Sequence, residues 1–85
     1  MRILYTQSFN RAYKKLPHKI RLLTEDKVEI FKTDLFDPRL RTHKLHGALS
    51  DYWAISIDSS IRAVFRFGAK GEIIFHFIGD HSVYE

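Results

Sequence analysis

The sequence predicts an α+β domain of order β-α-α-β-β-β, with two helices packed on one face of a small, mostly antiparallel sheet. Three observations predict it. Between residues 8 and 33 the apolar residues recur at helical spacing. After residue 52 they recur at every second position, in three separate runs. Those runs are joined by two segments of hairpin length, Asp58-Ser59-Ser60 and Gly68-Ala69-Lys70-Gly71.

The elements follow in chain order. Residues 2–6, "RILYT", place Ile3 and Tyr5 on one side of a short strand. Phe9, Ala12, Tyr13, Leu16 and Ile20 then fall at helical spacing, with Arg11, Lys14 and Lys15 opposite. Proline is tolerated in the first turn of a helix but not in its interior, so Pro17 divides this stretch. The reading is two helices, 8–15 and 17–33. The second buries Ile20, Leu23, Ile30 and Phe31, exposes Glu25 and Glu29, and is stopped by Asp37-Pro38. Residues 38–47, "PRLRTHKLHG", form a basic loop without a clear period. Strands 52–57, 61–67 and 72–78 then make a meander.

The chain of 85 residues is one domain, 1–85. Its 45% apolar content suits a globular protein. With no cysteine, neither a disulfide framework nor a thiolate metal site can form, which fits a reducing, cytoplasmic setting. No apolar run is long enough to span a bilayer, and "MRILYTQSF" is too short and polar for a signal peptide, so no membrane role is expected. The net charge of +4 favours an acidic partner, either nucleic acid or an acidic protein.

Alternation assigns the faces. Ile61, Ala63, Phe65 and Phe67 share one face of their strand; Arg62, Val64 and Arg66 share the other. Ile73, Phe75 and Phe77 oppose Ile74, His76 and Ile78, and Trp53, Ile55 and Ile57 oppose Tyr52, Ala54 and Ser56. The aromatic-rich faces are expected under the helices. The other face carries Arg62 and Arg66, with His76 or Tyr52. Two arginines on one sheet face suit phosphate, whose oxygens match the planar guanidinium. The plain alternative is a half-exposed sheet with ordinary outward arginines.

Leu45-His46-Gly47, then Tyr52-Trp53, then Ser60-Ile61-Arg62-Ala63-Val64-Phe65 resembles the "PLKG…GYW…HRLVY" pattern of the RelE/ParE superfamily of bacterial toxin–antitoxin systems. The ending Gly79-Asp80-His81-Ser82-Val83-Tyr84 is similar to the "GTH" and "EVY" endings of the same branches, YoeB, YafQ and RelE. The resemblance covers nearly the whole chain. It implies the RelE-like fold and a cytoplasmic toxin that cuts messenger RNA in the ribosome, without metal or cofactor. The ribose 2′-hydroxyl attacks the adjacent phosphate and expels the 5′-oxygen. It further implies a co-encoded antitoxin, with which a hetero-oligomer can form.

The chemistry needs a base, a positive charge for the phosphorane and an acid. By the resemblance, Arg62 supplies the charge, His81 the acid and His43 the base, with His46 close enough to exchange roles with His43. Tyr84 would stack on a base or orient the phosphate. Arg66, together with Arg41, Lys44 and His46 of the basic loop, is the candidate set for holding the RNA backbone. The site departs from each branch. RelE has two lysines on the strand that here reads Tyr52-Trp53-Ala54-Ile55, and YafQ-like proteins have a histidine and an aspartate where Ser56 and Ser60 stand. Three other readings stay open: a ParE-like gyrase inhibitor, an inactive antitoxin-binding member, and a zinc site of His43, His46 and His81.

Overall fold

The computed structural model describes residues 1–80. Strand β1 (Arg2–Tyr5) leads into helix α1 (Gln7–Lys14), and helix α2 (His18–Thr33) follows after three residues. One side chain makes the first corner. Thr6 caps α1 by accepting from the Phe9 N–H at 3.1 Å, and its own hydroxyl donates to the His76 carbonyl at 3.0 Å. Pro17 is extended and takes the N-cap position of α2, so the second helix opens at His18. Arg21 reaches back from α2 to the Leu16 and Lys14 carbonyls, placing a cation at the C-terminal end of α1.

The buried stripe of α2 is Thr24, Val28 and Phe31, while the expected Ile20, Leu23 and Ile30 flank it half-buried. Thr24 was not foreseen in a core. It fits because its hydroxyl donates to the Ile20 carbonyl at 2.8 Å, which removes the penalty of a buried polar group.

After the helices come β2 (His43–Lys44), β3 (Trp53–Ser56), β4 (Ile61–Phe67) and β5 (Glu72–Asp80), in a five-stranded sheet ordered β1-β5-β4-β3-β2. The expected order therefore lacked one strand. The loop from residue 38 contains a short helical turn, Pro38–Leu40, and then β2 antiparallel to β3. Two residues are too few to show a period, so only pairing reveals this strand. β1 lies parallel to β5, because the chain crosses back through the helix pair; the other pairs are antiparallel. Phe65, Phe75, Phe31, Leu40 and Ile55 have no exposed surface, and the helices cover that face of the sheet as expected.

One expected orientation is corrected. The β4–β5 register slips between Val64 and Phe65: Phe65 faces Phe75, but Val64 faces Phe77 and Ala63 faces Ile78. The extra residue is His76. A bulge inverts the alternation beyond it, so Ile78 is buried at 1% exposure and Phe77, expected in the core, is left 37% exposed.

The helix-free face is not bare either. Leu45 packs on Ala54 and Val64, with Leu49 and Tyr52 beside it, giving a small second core. The charged residues stand around that patch.

Candidate functional site

Arg62 and Arg66 lie on one strand, two positions to either side of Val64, roughly 13 Å apart at about 3.3 Å per residue. Both are half-buried. Their surroundings differ.

At the Arg62 end, β3 and β4 are joined by a tight turn. The Asp58 carboxylate accepts from the N–H groups of Ser60 at 2.8 Å and Ile61 at 2.6 Å. These bonds, the Ile61 bond foremost, hold the Asp58 carboxyl below the ordinary carboxylate range. Arg62 clamps the same turn from the other side. Its Nη1 donates to the carbonyls of Asp58 at 2.7 Å and Ile61 at 3.2 Å, and its Nη2 to that of Ser59 at 3.3 Å. The charge in the strand therefore has a structural task. Of the five N–H donors of a guanidinium, one on Nε and one on Nη2 have no partner among the described residues.

That guanidinium borders a cleft of about 320 Å³ shared with Lys27, Arg39, Arg41, Ser56 and Ser59. Arg41, expected among the basic-loop residues that hold the RNA backbone, is thus brought to Arg62. Lys27 and Arg39 were not foreseen. They come from α2 and from the Pro38–Leu40 turn, and no local pattern links segments so far apart in the chain.

At the Arg66 end the partner is an imidazole. Arg66 Nε donates to His76 Nε2 at 3.0 Å, so the His76 proton sits on Nδ1. Burial, and after it the Arg66 charge, push the His76 pKa down, so the ring is neutral at pH 7. The Tyr52 ring meets that of His76 edge-on, with centroids 5.2 Å apart. Of "His76 or Tyr52", both share this face with Arg66. A separate cavity of about 410 Å³ is lined here by Asp51, Tyr52, Arg66 and Phe67.

His43 pairs with Ala54, which pairs with Val64, so His43 stands on the same face as the arginines. Two strand spacings and two residues separate it from Arg62, roughly 12 Å between Cα atoms. Its Nδ1 lies 2.9 Å from the Arg41 carbonyl. Lys44 and His46 are exposed, Lys44 on the alternate side of β2 and His46 ahead of the Gly47–Leu49 turn. His81 and Tyr84 lie outside the described residues. Asp80, the last one described, faces Ile61, next to Arg62. Among the described residues no group of three His, Cys, Asp or Glu side chains comes together to hold a metal ion, and no helix is long and apolar enough to cross a membrane.

A larger cavity, about 580 Å³, lies across Tyr5, Phe9, Tyr13 and α2. Its charged lining is Glu25, Asp26 and Glu29 against Lys32, the wrong sign for phosphate.

No protein-family model and no curated protein sequence matches the chain. Solved structures do. A YoeB/ParE toxin from Agrobacterium tumefaciens superposes with a TM-score of 0.80 at 20% identity, covering 95% of this chain and 99% of that one. The RelB–RelE antitoxin–toxin complex of Methanococcus jannaschii gives 0.74 at 18% identity, covering 94% and 92%. YafQ from Escherichia coli gives 0.71 at 17% identity, covering 98% and 97%. End to end, then, the chain has the fold of the RelE, YoeB and YafQ toxins.

Proposed function

We propose that the chain is the toxin of a type II toxin–antitoxin pair, and that it cuts messenger RNA at the ribosome by metal-independent attack of a ribose 2′-hydroxyl on the neighbouring phosphate. One observation carries the reading. Arg62 is held half-buried by three carbonyls, keeps two N–H donors that no described residue takes up, and lines a cationic cleft. A fixed, permanently charged fork is what a developing phosphorane needs, since it requires no reorganisation as charge builds up. The full-length likeness to toxins of known fold supports the same reading.

The roles follow. Arg62 stabilises the equatorial oxygens. His43 takes the proton of the 2′-hydroxyl from its place on the same face. His81 returns a proton to the departing 5′-oxygen; an ordinary histidine titrates near neutrality and can do so at pH 7. Tyr84 stacks on a base, Arg66 and His46 hold the backbone, and Lys44, on the other side of β2, adds only to the overall positive charge that attracts it. A co-encoded antitoxin silences the site; a complex of that kind is known for the M. jannaschii RelE protein of the same fold.

The test is purified chain added to translating ribosomes, with primer extension on the messenger. Cleavage within the decoded codon is expected. It should persist when EDTA is added at a level that leaves the ribosomes intact. No cleavage, with inhibition of gyrase supercoiling instead, would replace this reading with the ParE-like one.

A further inference from the structure

The cleft at the hairpin end holds more positive charge than one arginine needs. We propose that Lys27, Arg39 and Arg41 form, around Arg62, a second phosphate-binding site that grips the RNA backbone beside the phosphate under attack. The proposal rests on the ribonuclease reading of Arg62.

Three separate segments supply the cations: α2, the Pro38–Leu40 turn with the residue after it, and β4. Two carboxylates lie nearby, and both are already engaged. Asp37 accepts from Arg39 Nε at 3.0 Å and Nη2 at 2.9 Å, and these bonds hold its pKa down to about 2, with Lys27 adding to the effect. Asp58 is taken up by the amides of its turn. Four cations against two anions leave a surplus of two positive charges on one cleft. Among the described residues, Lys27 and Arg41 form no ion pair.

The backbone at Arg41 points the same way. Arg41 has φ 50° and ψ 42°, the left-handed conformation that glycine or asparagine usually takes. Any residue with a Cβ is sterically strained there, because the Cβ crowds the following carbonyl oxygen. Both neighbours enforce it. Leu40 is fully buried, and the Thr42 hydroxyl donates to the Leu35 carbonyl. The Arg41 N–H meets the Pro38 carbonyl at 3.3 Å, and its own carbonyl meets His43 Nδ1. The fold thus holds an arginine where a glycine would sit more easily, and the side chain lines the cleft.

The lining selects the ligand. It contains four cations, the hydroxyls of Ser56 and Ser59, and one carboxylate, Asp58, which its own turn amides occupy, with Ile57 as its one large apolar residue and no aromatic ring. Such a cleft suits a phosphodiester and offers a base nothing to stack on.

The experiment measures binding apart from cutting. A short, labelled 2′-O-methyl RNA cannot be cleaved by 2′-hydroxyl attack. Its affinity for the full chain is followed by fluorescence anisotropy as salt is raised. For Lys27→Ala/Arg41→Ala, the log–log salt slope should become shallower by about 1.4, at about 0.7 per lost contact on a single strand. Arg41→Gly keeps the backbone and removes the charge. It should bind more weakly while melting no lower than wild type, which separates lost contact from lost fold. Lys15→Ala/Lys19→Ala removes equal charge elsewhere and should leave the slope unchanged. Equal losses in both double variants would overturn the site in favour of diffuse attraction. An unchanged slope in Lys27→Ala/Arg41→Ala would overturn it outright, as would loss of binding to an acidic peptide with RNA affinity intact. Ribosomal cleavage is scored separately on the same proteins, so this site can fail while the ribonuclease reading stands, and the reverse.

Discussion

Arg62 and Arg66 occupy one strand and one face, and both are half-buried, yet they are held by different chemistry. Arg62 donates to three carbonyls of its own turn. Arg66 donates to the imidazole of His76. A carbonyl accepts at every pH. An imidazole accepts only while neutral. The first arginine is therefore fixed whatever the conditions, whereas the second is fixed by a group that can be switched off. Residue type and alternation make the pair look equivalent; the acceptor decides which of them can serve as a constant electrostatic element.

The comparison is broken most directly by removing each arginine in turn. Arg62→Ala should lower messenger cleavage by about 10²–10³, the usual loss for one preorganised donor to a transition state. Arg66→Ala should cost roughly tenfold, as one charge-assisted contact to the backbone. Single-turnover rates on programmed ribosomes measure both, and equal losses would erase the distinction. Arg62→Lys should recover only part of the rate, because an ammonium cannot present a planar fork.

Stability sharpens the same contrast on a smaller scale. Arg62→Ala removes the donor from the Asp58, Ser59 and Ile61 carbonyls and should cost about 1–2 kcal/mol in urea denaturation. Arg66→Ala should cost less, since its acceptor is a single side chain.

The smallest effect is one of pH. The folded His76 pKa is depressed, so the unfolded chain takes up the proton first. The stability tied to neutral His76 is fully present above about 6.5 and is lost as the pH falls from there through the folded value. His76→Gln, which does not titrate, should flatten the urea midpoint over that window. An equally steep fall in both proteins would mean that another group carries it.

Much of this arrangement could be read from the chain. Alternation in "IRAVFRF" put Phe65 under the helices and Arg62 and Arg66 on the opposite face, because one face of a sheet must be apolar to be covered. The turn at Asp58-Ser59-Ser60 was legible because aspartate and serine bond their own backbone. Three features were not legible, each for a physical reason. The bulge at His76 depends on how two strands mesh, and nothing in "EIIFHFIGD" marks the slip. β2 is shorter than any period. The cleft joins residue 27 to residues 39, 41 and 62, a convergence that only the tertiary fold creates. Period-2 reading had also placed His76 near the arginines, but its bond to Arg66 needed the register.

The left-handed backbone at Arg41 sets two demands against each other at one position. Selection for an easily folded loop would drift toward glycine there, while selection for the charge would resist that drift. Position 41 is thus a gauge of use: among descendants of this chain, those that no longer need the cleft should be the ones in which the arginine gives way first.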